Sequence, residues 1–149
     1  MNMAESTTPQ APANWNAVIE GRLPTSSRTI LLVEDETFVR EVACEVLRAA
    51  GYEVIPAKNA AEATHCYERR GCQVDLLLTD VVLPDQNGCM LAKALREKTP
   101  ALKALFVTGY AKQMDRRLGS DELLPKPFSK DLLVEKVNRI LDRECLLRK

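Results

Sequence analysis

The chain has 149 residues, 46% of them hydrophobic, which suits one globular domain with a packed core and leaves too little for two. Lysine plus arginine (21) balance aspartate plus glutamate (21), so no strongly basic face for nucleic acid or anionic lipid is implied, and partners are expected to be proteins or small ions. No apolar stretch approaches the roughly 20 residues that span a bilayer, and Met1 to Gln10 lacks the charged-then-apolar order of a signal peptide, so a cytoplasmic location is expected.

Residues 1–28 are rich in Pro, Thr, Ser, Ala and Asn, with Trp15, Val18, Ile19 and Leu23 as their sizeable apolar groups, and read as a flexible tail. The folded domain is expected over 29–142. Thr29 to Val33 is a β-branched and aliphatic run that empties into the acidic triplet Glu34-Asp35-Glu36, as a buried strand ending in a charged loop. From Thr37 the period becomes helical through Phe38, Val39, Val42, Ala43, Val46, Leu47 and Ala50, and Gly51 stops the helix. Glu53 to Pro56 is a short strand, and Ala57 to Arg70 a second helix with Ala60, Ala61 and Ala63 inward, closed by Gly71.

Leu76-Leu77-Leu78 carries the backbone into Asp80, after which Pro84 and Gly88 break regular structure, so Asp80 stands at a strand end. Gly88 to Lys98 is a third helix with Met90, Leu91, Ala94 and Leu95 on its apolar side, ended by Pro100. Leu102 to Thr108 is a fourth strand, and a weak charged helix is expected over Ala111 to Leu118. Glu122 to Pro125 is a fifth strand running into Lys126-Pro127-Phe128. Ser129 caps a last helix carrying Leu132, Leu133, Val137, Ile140 and Leu141, expected to end near Asp142 with 143–149 as a C-terminal tail. Strands alternating with helices argue for right-handed βαβ units and a parallel α/β sheet covered on both faces. The five cysteines are odd in number and include no C-x-x-C, so neither a disulfide framework nor a zinc site is signalled.

The carboxyl ends of successive strands then supply Glu34 and Asp35, Asp80, Thr108 and Lys126. Carboxylates this close raise one another's pKa unless a cation sits among them, and Mg²⁺ suits a site with few carboxylates and retained waters. Kept ionised, Asp80 can act as a nucleophile toward phosphorus, with Lys126 neutralising phosphoryl oxygens and Thr108 donating a hydrogen bond to one of them.

Leu31-Leu32-Val33-Glu34-Asp35, Thr79-Asp80 with Leu83-Pro84-Asp85 and Gly88, Thr108-Gly109-Tyr110-Ala111, and Lys126-Pro127-Phe128 together resemble the receiver domain of two-component response regulators, in order and over about Thr29 to Asp142. The resemblance implies a flavodoxin-like, CheY-like sheet of order 2-1-3-4-5 with five helices. It implies that Asp80 is the phosphoacceptor for a histidine kinase or histidine phosphotransfer protein, and that the change is read by a downstream protein partner. Asp35, Asp80 and the backbone carbonyl of Val82 would bind Mg²⁺, with Glu34 acting through water. Thr108 would turn inward on phosphorylation, Lys126 would contact the phosphoryl group, and Pro127 would follow a cis peptide bond.

The departures from the family pattern carry expectations too. Receivers usually place an aromatic residue three positions before the lysine, and here that position is Leu123. Tyr110 is a candidate substitute gate. Thr108 and Lys126 are 18 positions apart (126 minus 108), a short connection, which weakens the usual dimer face and leaves a monomer or weak dimer. Val82 and Tyr110 flank the path of a hydrolytic water and hold water poorly, so slow self-dephosphorylation is expected. A flavin site is disfavoured because Glu34-Asp35-Glu36 would repel a phosphate, and a turnover phosphatase because Val82 occupies the place of its second aspartate; the chain is read as a phosphoacceptor and not an enzyme. The end of the last helix near Asp142 leaves no room for an effector domain, so output by protein contact is expected. A receiver-like module that binds protein without phosphorylation is the alternative that Leu123 supports. His65 reads as a surface residue and Asp85 as a loop residue with no chemical part.

Overall fold

The computed structural model describes residues 28–109 and 123–147, with side chains as far as Asp142. The tail before Arg28, Tyr110, the helix expected over 111–118 and Glu122 lie outside the described residues.

Five strands form: β1 (Thr29–Val33), β2 (Glu53–Ala57), β3 (Leu76–Asp80), β4 (Lys103–Thr108) and β5 (Leu123–Pro125). They pair in parallel in the order β2-β1-β3-β4-β5. Every residue of β1 and β3 is buried, which explains why both read as unbroken apolar runs: each face of a central parallel strand meets a helix. The side-chain period of two divides the core accordingly. Leu31, Val33, Leu77 and Phe106 join one cluster, and Ile30, Leu32, Leu76, Leu78, Leu105, Val107 and Leu124 join the other.

Four helices are described: α1 (Thr37–Ala49), α2 (Ala60–Arg69), α3 (Gly88–Lys98) and α4 (Lys130–Leu147). Ala60, Ala63 and Tyr67 of α2 and Leu91, Ala92 and Leu95 of α3 fill the first cluster, whereas Ala43 and Leu47 of α1 and Leu133, Val137, Ile140 and Leu141 of α4 fill the second. Gly51, at φ +103°, ends α1 in the left-handed conformation that a glycine adopts without strain.

Four details differ from the sequence reading. Ala57 belongs to β2, in register with Val33, so α2 starts only at Ala60 behind the cap Asn59. Ala61 points outward, and the inner face of α2 is completed by Tyr67, whose hydroxyl hydrogen-bonds Thr99. On α3, Ala92 replaces Ala94 in the core and Met90 stands 57% exposed, because the buried stripe follows Leu91 and Leu95. Helix α4 runs on to Leu147, since no Gly or Pro after Ser129 stops it.

His65 is exposed, and Cys44, Cys66, Cys72 and Cys89 are free thiols. Tyr52, just past Gly51, hydrogen-bonds Asn138 and so ties the end of α1 to α4. Replacing Tyr52 with phenylalanine leaves the Asn138 amide without that partner, and urea unfolding is expected to show a loss of about 1 kcal/mol.

Candidate functional site

The parallel sheet delivers the carboxyl ends of β1, β3, β4 and β5 to one edge, which is where open α/β sheets build their sites. Immediately beyond β1, Glu34 is buried and Asp35 exposed; Asp80 closes β3 and is buried; Thr108 closes β4 and is buried; Lys126 follows β5. The expected residues of these four strand ends thus meet. One carboxylate oxygen each from Glu34, Asp35 and Asp80 lies within 4.8 Å of the other two, a set of hard oxygen donors that can hold a divalent cation.

Lys126 closes the site on the opposite side. Its Nζ lies 2.7 Å from Asp80 Oδ2, 3.2 Å from Glu34 Oε1 and 3.3 Å from Glu36 Oε1. An ammonium has three N–H donors, so these three carboxylates match its full capacity. Burial pulls the Lys126 pKa down, but the hydrogen bond to Asp80 and the charges of Glu34 and Asp80 outweigh it, and the group is held protonated well above the ordinary lysine range. The backbone fixes its approach: Lys126 N–H donates to the Thr108 carbonyl at 2.8 Å, and the Lys126–Pro127 bond is cis, as the resemblance implied.

Glu34 is the strained member of the set. Burial pushes its carboxyl pKa up and Asp80 pushes it further, while the Glu36 N–H, which donates to Glu34 Oε2 at 3.1 Å, and the Lys126 ammonium hold it back. Asp80 is oriented by its own loop: Val82 N–H donates to Asp80 Oδ1 at 3.0 Å, and the Thr79 hydroxyl donates to the Asp80 carbonyl at 2.9 Å. Gly88 packs directly on that carbonyl. A β-carbon at position 88 would stand 2.2 Å from the Asp80 oxygen.

Thr108 sits opposite Pro125 in the β4–β5 register; Gly109 is exposed, and among the described residues nothing lies within 4 Å of an added β-carbon. Leu123 is half-buried opposite Phe106, where the family's aromatic would stand. Beside Lys126, Phe38, Val39, Val42, Pro127 and Phe128 line an apolar groove of about 470 Å³, and Phe38, placed among the apolar residues of its helix by sequence, is 77% exposed there.

Sequence reasoning does not find one participant, Glu36, and one structural tie, that of Asp85. Glu36 was read only as part of an acidic loop, although the triplet itself was the signal. Asp85 is a loop residue outside the acidic cluster, as read from sequence, but its carboxylate accepts the N–H groups of Ala60 and Ala61 at the start of α2, and these bonds hold its pKa below the ordinary aspartate value. No local pattern announces a bond that crosses 24 positions.

The strand order and this constellation define a receiver domain. Residues 30–138 match the response regulator receiver domain family, and the chain belongs to that family. It is 39% identical over 122 residues to the sensor kinase CckA of Brucella abortus, covering 79% of this chain and 13% of that protein. It is 36% identical over 118 residues to the transcriptional regulatory protein CpxR of Escherichia coli, covering 76% of this chain and 49% of that one. Among solved structures, a CheY-like receiver from Methanospirillum hungatei superposes with a TM-score of 0.70 at 30% identity, covering 79% of this chain and 96% of that one. The receiver of the hybrid histidine kinase CckA gives 0.64 at 37% identity, covering 74% and 96%. The chain therefore spans less than half the length of these two curated relatives and nearly all of the solved receivers. Among the described residues, no helix is long and apolar enough to cross a membrane.

Proposed function

We propose that Asp80 is a phosphoacceptor that takes a phosphoryl group from a phosphohistidine of a kinase or histidine phosphotransfer protein, and that a protein partner reads the change. The observation that carries this is the pairing of Asp80 Oδ2 with Lys126 Nζ at 2.7 Å beside the Glu34, Asp35 and Asp80 oxygens. A nucleophilic carboxylate stands there between a fixed cation and a set of cation ligands. An Asp80 oxygen attacks phosphorus, the donor's P–N bond breaks, and its electron pair returns to the imidazole. Lys126 draws off negative charge from the phosphoryl oxygens, and Thr108, at the adjacent strand end, supplies a hydroxyl toward them.

Asp35, Asp80 and the Val82 carbonyl would hold Mg²⁺, with Glu34 reaching it through water; the ion supplies neutralising charge to an incoming phosphoryl group. The role of Tyr110 as a gate belongs to this proposal and lies outside the described residues. Output by protein contact is proposed on the charge balance of the chain. CpxR is a transcriptional regulator, and the match covers 49% of it.

The test is intact mass after incubation with acetyl phosphate, with and without Mg²⁺, for the wild type and Asp80→Asn. A Mg²⁺-dependent gain of one phosphoryl group, absent from the variant, is the expected result. A second reading, a protein-binding module that works without phosphorylation, rests on the aliphatic Leu123 in the aromatic position. No gain by a folded wild type that binds Mg²⁺ selects it.

A further inference from the structure

The loop that joins β3 to α3, residues 81–87, is fastened at both ends. Val82 N–H is bonded to Asp80 Oδ1, Val82 and Asn87 pair across the loop, and Gly88 N–H donates to the Val81 carbonyl at 2.7 Å. Val81 and Leu83 are buried in the same apolar cluster as Ala60 and Ala63 of α2. Asn87 caps α3 by accepting the Cys89 N–H at 2.6 Å.

Besides the bond from Val81 N–H to the Val107 carbonyl of β4 at 2.9 Å, the loop is tied to α2 through Asp85. A helix begins with four N–H groups, counted from its cap residue, that have no partner within it. In α2 the third helical N–H, of Glu62, donates to the Asn59 side chain at 2.7 Å, whereas the fourth, of Ala63, already makes the first intrahelical bond, to the Asn59 carbonyl at 3.0 Å. The first two are met by Asp85: Ala60 N–H donates to Oδ1 at 3.0 Å and Ala61 N–H to Oδ2 at 2.9 Å. A carboxylate at this place also complements the positive end of the helix dipole. The local side-chain cap therefore serves one N–H of the first turn, and a residue from the loop of the site serves two.

The geometry points to Asp85 as a positioning residue that couples the Asp80 site to the first turn of α2. The inference rests on the proposed Mg²⁺ role of Asp80 and Val82. Val82 and Asp85 are three residues apart on a loop whose ends are bonded to each other, so the conformer that orients Asp80 is the conformer that closes α2. A cation that requires Asp80 and the Val82 carbonyl in place selects that conformer and tightens the cap. Linkage makes the effect reciprocal: loss of the cap weakens the cation by the factor through which the cation tightens the cap.

The test measures Mg²⁺ affinity by calorimetry and exchange of the Ala60 and Ala61 amide protons by NMR, in the wild type, Asp85→Ala, Asp85→Asn and Asn59→Ala. In the wild type, Mg²⁺ is expected to slow exchange of these two amides about fivefold, and Asp85→Ala to weaken Mg²⁺ by a similar factor. Asp85→Asn keeps one acceptor oxygen and falls between. Asn59→Ala removes the other cap of the same helix without touching the loop, and its Mg²⁺ affinity is expected to match the wild type. Equal weakening by Asn59→Ala and Asp85→Ala would reduce the effect to general helix stability and overturn the coupling. Unchanged affinity in folded Asp85→Ala overturns it as well, leaving the proposed function intact, whereas a wild type that fails to bind Mg²⁺ removes both.

Discussion

Gly88→Ala is expected to destabilise the domain by about 3 kcal/mol, well beyond the effect of an ordinary surface substitution. The added methyl group would stand 2.2 Å from the Asp80 carbonyl oxygen and 3.1 Å from both the Asp80 carbonyl carbon and Thr79 Oγ1. Two of these three atoms are backbone at the end of a buried strand, and β3 is held on both sides by β1 and β4, so it has no direction in which to retreat. Alanine is intrinsically the better helix former by about 1 kcal/mol, which opposes the clash and is too small to offset it. Gly51→Ala is the internal comparison: open space surrounds position 51, and only its φ of +103° penalises a side chain, by about 1–2 kcal/mol. Urea unfolding of the three proteins decides the matter. A Gly88→Ala variant no less stable than Gly51→Ala would mean that the Asp80 carbonyl moves aside freely.

Gly88 also shows how much was legible in the sequence and how much was not. Its place in the motif is visible as a break between an apolar run and a helical period, and Asp80, Asp35 and Lys126 are visible as charges at the ends of such runs. Burial on both faces of a parallel strand leaves continuous apolar stretches, and chain direction then dictates that their carboxyl ends share an edge. The contacts made at that edge are another matter. Glu36 reaches Lys126 across 90 positions and Asp85 reaches Ala60 across 25, and neither bond has a periodic signature. Helix faces are legible only in part for a related reason. Period alone cannot say whether Met90 or Ala92 turns inward until the helix is seated on its sheet, nor that Phe38 lines an exposed groove with Pro127 and Phe128 instead of entering the core.

Lys126→Met carries the second large effect, and its sign depends on pH. In metal-free buffer the substitution leaves Glu34 and Asp80 buried side by side with no cation. Breaking a fully buried pair in this way costs about 3–5 kcal/mol; because the Lys126 side chain is 23% exposed, about 2 kcal/mol is expected at neutral pH. Glu34 provides the titration. Its folded-state pKa is raised above the ordinary 4.5 by burial and Asp80, so its favourable protonated form stabilises the fold below that value, and this contribution is lost as pH rises through the raised value. Removing Lys126 removes two of the influences that lower this pKa, which moves the folded value further up and widens the window. The variant should therefore approach wild-type stability as pH falls toward 4.5 and diverge from it above. Mg²⁺, if held by Asp35 and Asp80 as proposed, replaces the missing charge and should restore the variant more than it stabilises the wild type. Denaturant unfolding at several pH values, each with EDTA and with Mg²⁺, separates these contributions. A deficit that stays constant across the pH range would assign Lys126 a packing role and sink the electrostatic account of the site.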